Sequence, residues 1–143
     1  MSQDQNIQKL LHSVKTIAVV GLSSRPEKPA HYVPTYLQAQ GYRIIPVNPY
    51  LEQNQLNEKV YPNLASVPEP VDLVLLFRRS EDVYPFVEQA IQIGASAVWM
   101  QLGIANPEAA ELAQNAGLDV VMDACMLVEH KRFRREGTDA IDS

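Results

Sequence analysis

The residues best suited to chemistry fall in short clusters behind apolar runs. Gly21, Ser23, Ser24, Arg25 and Lys28 follow the run 16–20 directly. A glycine there lets the chain turn and approach a ligand closely. Hydroxyls and loop amides can point at an anion, and Arg25 and Lys28 supply charge. Phosphate is the chemistry this composition suits, although a plain strand-to-helix connector fits the same residues. The cluster matches neither the G-x-x-x-x-G-K-[ST] phosphate loop nor the G-x-G-x-x-G dinucleotide turn.

Three further clusters repeat the arrangement. Arg78, Arg79 and Ser80 come after 71–77, Gln101 and Gly103 after 95–100, and Asp123 and Cys125 after 118–122. Arg78 can meet a phosphate; Arg79 is the weaker candidate, because neighbouring side chains rarely face the same way. A nucleophilic Cys125 would need a lowered pKa and a nearby base. Only His130 is close in sequence, so a quiet, partly buried thiol is expected. One cysteine excludes an intrachain disulfide and a cysteine-rich metal site. His12, His31 and His130 show no ligand spacing, and no metal is expected. No acid–base pair stands at a plausible spacing, so no catalysis is expected either.

The elements that must position these clusters alternate in kind. Apolar residues at Ile7, Leu10, Leu11 and Val14 give a helical stripe over 6–14. Strands are predicted at 16–21, 42–47, 71–77, 95–100 and 118–122. Their runs lack polar alternation, the mark of strands covered on both faces. Helices are predicted from about His31 to Gly41, from an N-cap at Ser80 to Gly94, and from the Asn106–Pro107 pair to Gly117. Pro34 then falls in the first turn of its helix, and the preceding loop is long. Pro46 must sit at a strand end or where no donor is needed. Trp99 reads as core, His31 as a polar helix start or a phosphate contact, and Asp123 as a loop-ordering residue.

A β-α-β-α order argues for an α/β, Rossmann-like, doubly wound parallel sheet of about five strands with helices on both faces. Right-handed crossovers place the first strand centrally and the switch point between the first and fourth strands. Ligands bind such sheets beyond the carboxyl ends of the strands, where all four clusters lie. At the end of the second strand a dinucleotide-binding domain usually carries an acid for the ribose hydroxyls. Here the residues are Pro46, Val47, Asn48 and Pro49. A phosphorylated ribose would be repelled by a carboxylate, so its absence suits coenzyme A, with its 3′-phosphate, and also NADP.

The chain has 143 residues and a net charge of −5, one domain's worth, with no basic face for nucleic acid. Its longest apolar run, Val71 to Phe77, falls far short of the roughly 20 residues of a membrane span. The polar start, 1–9, lacks the order of a secretion signal. A cytoplasmic protein is expected, with one domain over 1–133 and a charged, flexible tail over 134–143. A homodimer is the default oligomer.

Seven segments in order carry a family resemblance: Val20 to Ser24; Gly41-Tyr42 with Pro46 to Pro49; Val71-Asp72; Phe77-Arg78 with Ser80; Gly94-Ala95; Trp99 to Gly103; and Val121 to Asp123 with Cys125. Together they resemble the small stand-alone CoA-binding domain proteins, which are similar to the N-terminal CoA-binding domain of the succinyl-CoA synthetase alpha subunit. The likeness runs from about Val14 to Glu129. It implies that Gly21 to Lys28 wrap the diphosphate and 3′-phosphate. Val47 to Pro49 and Phe77 to Ser80 would flank the adenosine, and Gln101 to Gly103 would lie near the pantetheine. The alpha subunit's second domain, with its phosphorylated histidine, has no counterpart here, so ligase activity is not carried over. The expected function is binding of CoA or an acyl-CoA as a non-catalytic carrier, sensor or accessory module. An NAD(P)-binding redox regulator and a small enzyme acting on acyl-CoA thioesters are the rivals.

Overall fold

Five short runs of β-branched and apolar residues pair into one parallel sheet in a computed structural model. It describes residues 2–142, with side chains to 134. Helix α1 (Gln3–Ser13) leads into β1 (Thr16–Val20), α2 (Pro29–Ala39) and β2 (Arg43–Val47). A 3₁₀ turn (Leu64–Ser66) precedes β3 (Leu73–Leu76), and another (Ser80–Asp82) precedes α3 (Tyr84–Gln92). Then come β4 (Ala97–Met100), α4 (Pro107–Asn115), β5 (Asp119–Val121) and α5 (Met126–Asp142). This is the Rossmann-like α/β fold expected. The tail expected over 134–143 falls, to Asp142, on the backbone of α5, and its side chains beyond 134 lie outside the described residues.

The lack of alternation in the strands has a direct cause. Ile17, Val19, Leu73, Leu75 and Trp99 pack under α1, α2 and α5. Ala18, Val20, Val74, Leu76 and Met100 pack under α3 and α4. Both faces are covered, so the strand interiors must be apolar, and the polar residues Thr16, Arg43 and Asp119 stand only at strand starts. Among the described residues no helix is long and apolar enough to cross a membrane.

The strand order is β2-β1-β3-β4-β5. The switch point therefore lies between β1 and β3, not between the first and fourth strands as expected. The connection after β2 contains no α-helix. It returns over 48–72 to the far side of β1, where the Asp72 N–H donates to Thr16 O and the Asp72 carboxylate accepts from the Lys15 and Thr16 N–H groups. That pairing seats β3 beside β1. It also sets the loop after β1 against the loop after β3.

Pro46 is accommodated as required. β2 is an edge strand, and on its outer side Pro46 O accepts from the Tyr61 N–H at 3.0 Å. The proline nitrogen faces that same outer side, where the ladder needs no donor.

Two helix starts differ from expectation. α2 begins at Pro29, two residues before His31, because a proline at N1 forfeits no hydrogen bond. Pro34 then lies inside the helix and cannot donate to Ala30 O. The Ser23 N–H takes that carbonyl instead, at 3.1 Å, so the proline fastens the first loop to α2. Ser80 is not the N-cap of α3, which starts only at Tyr84. Its Oγ accepts from the Ala105 N–H at 3.0 Å, and its carbonyl from Asn106 Nδ2. The hydroxyl is thereby spent on the neighbouring loop. The Asn106–Pro107 start holds as read, with Asn106 Oδ1 accepting from the Ala109 N–H.

Candidate functional site

At the β1/β3 switch point the carboxyl edge opens into a cleft of about 400 Å³. Ser23, Lys28, Phe77, Arg78, Gln101 and Gly103 line it, with Pro29, Ala30, Arg79, Leu102 and Ile104. Six of the thirteen candidate residues are thus brought to one wall.

Gly21 makes the arrangement possible without lining the cleft. Its φ is +85°, and a Cβ there would stand 2.8 Å from Phe77 O and 3.2 Å from Arg78 Cδ. Only glycine lets the first loop cross so close to the third strand's end. The loop is then held from several sides. Asn48 Nδ2 donates to Leu22 O at 2.9 Å, and His31 Nδ1 lies 2.7 Å from Ser23 O, which requires the proton on that nitrogen. His31 is therefore a tether for the loop.

Charge at the cleft is uneven. Neither Lys28 nor Arg78 has a carboxylate partner among the described residues, and the lining contains no acid. The Arg78 guanidinium lies 5.6 Å from the Phe86 ring centroid, a cation–π contact that leaves its donors free. Lys28 precedes the first turn of α2, and the Ala30 stretch at that helix start forms part of the wall. A helix N-terminus adds positive potential. Arg79, by contrast, is paired with Asp82 and Glu81.

The remaining candidates lie elsewhere. Arg25 is exposed and bonded to Glu27 at 2.8 Å, and Ser24 and Pro49 are exposed beyond the lining. Val47 is buried in β2, its carbonyl accepting from the Gly21 N–H. Asn48 uses its amide on Leu22 and on the Tyr50 N–H. These residues shape or border the first loop rather than wall the cleft. Pro29, Ala30 and Ile104 are lining residues that the sequence reading missed. The signal for the first two was the Lys28–Pro29 step, a helix start by the N1-proline rule.

Around the far loop Asp123 orders the chain as expected. Its Oδ1 accepts from the Gly103 N–H at 2.7 Å, and it adopts φ +55° to do so. Trp99 is fully buried, with Nε1 donating to Ala124 O at 2.8 Å. Cys125 is partly buried against the core. Among the described residues no group of three His, Cys, Asp or Glu is placed to hold a metal ion.

Comparison with known proteins agrees with this geometry. The family described as a CoA binding domain matches residues 15–131. A Bacillus subtilis protein, YneT, is 40% identical over 124 residues, covering 87% of this chain and 91% of its own. A structure from Pyrococcus horikoshii shares 41% identity with a TM-score of 0.86, covering 90% of each chain. The apo dinucleotide-forming acetyl-coenzyme A synthetase 1 of Ca. Korarchaeum cryptofilum is 25% identical with a TM-score of 0.66, matching 80% of this chain and 27% of the synthetase. With a family match over most of its length and a sheet of the same build, the chain belongs to the CoA-binding domain family.

Proposed function

We propose that the protein binds coenzyme A or an acyl-CoA in the switch-point cleft and acts as a carrier, sensor or accessory module without catalysing a reaction. The observation that carries this is the pair Lys28 and Arg78, two cations without carboxylate partners among the described residues, lining one acid-free cleft. Family membership supports the same ligand. Lys28 and Arg78 would hold phosphates. The strand end at Asn48 carries no acid that would repel a phosphorylated ribose.

Titration with CoA tests the reading. A ligand that binds only the folded state stabilises it by about 2.7 kcal/mol at a hundredfold excess over Kd, so the Tm should climb by several degrees with dose. No shift at millimolar CoA would overturn the proposal. The missing acid would also serve NADP, and tighter NADPH than CoA binding in competition would favour that reading. Acyl-CoA turnover that Cys125→Ser abolishes would favour an enzyme instead.

A further inference from the structure

Arg25, Arg43, Arg79 and Arg132 each meet a carboxylate. Arg78 meets none among the described residues, although it is half-buried and two acids, Glu81 and Asp82, follow it closely in the chain. Arg79 already holds both of those, at 3.5 and 3.0 Å. What the Arg78 side chain meets instead is a ring and a glycine. Its guanidinium Cζ lies 5.6 Å from the Phe86 ring centroid. Its Cδ passes 3.2 Å from where a Cβ on Gly21 would stand.

Phe86 is no part of the cleft lining, yet its support is firm. It stands in the first turn of α3 beside Val83 and Val87, both fully buried, and the Val87 N–H donates to Val83 O at 3.0 Å. Its ring packs against the core on that face of the sheet. The segment that joins β3 to α3 is tied down as well, because Ser80 accepts from the Ala105 N–H and from the Asn106 amide. Both ends of the contact are fixed by the fold.

The choice of partner matters for what Arg78 can do. A carboxylate would occupy the guanidinium N–H groups that a phosphate needs, and a ligand would have to displace it. An aromatic face attracts the cation through its quadrupole and takes none of those donors. Holding a long side chain in place also lowers the cost of ordering it when an anion arrives. We propose that Phe86 is a positioning residue of this site: its ring holds the Arg78 guanidinium ordered and unpaired for a phosphate of the ligand. This role rests on the CoA reading above.

Calorimetric titration of the full chain with CoA tests it through a double-mutant cycle. Phe86→Leu keeps an apolar side chain but removes the aromatic face, and should weaken CoA about fivefold, ~1 kcal/mol. Phe86→Tyr, which keeps the face, should restore the affinity. In an Arg78→Ala background the same Phe86→Leu change should cost nothing further, a result that a packing role for the ring would not give. Unchanged affinity in Phe86→Leu, or the same loss with and without Arg78, overturns the inference. Should Phe86→Leu fold poorly, the wild type decides by NMR. The ring current should place the Arg78 side-chain protons upfield of those of exposed Arg79, and matching positions overturn the inference. A wild type that does not bind millimolar CoA sinks the CoA reading and this role with it. One that binds CoA with Phe86 indifferent sinks only the role given to Phe86.

Discussion

Arg43 and Arg132 on the outer surface are held differently by this fold from Lys28 and Arg78 at the cleft. Arg43, at the start of β2, meets Glu58 and Glu69, and Arg132 on α5 meets Asp4 and Glu129. Hydrogen bonding to these guanidiniums holds the Glu69 and Asp4 carboxyls below their usual range. Lys28 and Arg78 have no such partner among the described residues. On a chain with a net charge of −5, carboxylates are not scarce. A cation beside a cleft that none of them reaches is a place where an anion can arrive from outside. Lys15, Lys59 and Lys131 also lack a carboxylate among the described residues, so what sets Lys28 and Arg78 apart is their place together on an acid-free cleft wall.

The sharpest way to break the contrast is Gly21→Ala. The new Cβ would press on Phe77 O and on the Arg78 side chain, at a backbone angle that disfavours any side chain. A loss of about 2–3 kcal/mol of stability is expected, with CoA binding lost alongside. Gly41→Ala is the control: it shares a positive φ of +102° but meets nothing within 4 Å. Its cost should be nearer 1 kcal/mol, with CoA binding intact. Equal Tm losses for the two variants would refute the close approach at Gly21.

Next in size is removal of the cations themselves. Arg78→Ala should weaken CoA about tenfold or more with little change in Tm, since one charged hydrogen bond to phosphate is worth roughly 1.5–3 kcal/mol. Arg132→Ala should leave both CoA affinity and Tm nearly unchanged, as exposed ion pairs contribute little to stability. If Lys28 holds the 3′-phosphate, Lys28→Ala weakens CoA more than dephospho-CoA. Arg25→Ala should matter less, because Glu27 already occupies its guanidinium. A loss with Arg132→Ala as large as with Arg78→Ala would erase the contrast.

The smallest effect concerns a third set of charges, at the opposite edge of the sheet. His130 on α5 bonds the Tyr36 hydroxyl through Nδ1 at 2.7 Å, packs edge-on against Tyr42 and is faced by His12 and Arg134. Burial, then the charges of Arg134 and His12, lower its pKa. The unfolded chain therefore takes up the proton first as pH falls. Stability should drop through and below the ordinary value of 6.5, by less than Gly21→Ala removes. His130→Asn should flatten that part of the Tm–pH curve, and an unaltered slope would exclude His130 as its source.

Much of the site was legible before folding because it depends on near neighbours in the chain. The apolar runs, the glycine behind the first of them, the missing acid after Val47 and the core role of Trp99 are all local patterns. The start of α2 was misplaced for a local reason as well, since Pro29 at N1 carried more weight than the objection to an interior Pro34. Other features are decided through space. Ser23, Ser24 and Arg25 look alike as donors in the sequence, yet the fold brings only Ser23 of the three to the cleft wall.

Local patterns were enough for the strands, the parallel covered sheet and the edge on which its polar loops gather, because burial on both faces writes itself into all but the first residues of the strands. Only the folded chain settles that β3 lies beside β1, which cations stay without a carboxylate, and that the Gln101 side-chain oxygen is held by the Met126 N–H. Those outcomes depend on the return path of 48–72, on ion pairs between distant segments and on one N–H of α5. None of these distances is encoded in any short stretch of the chain.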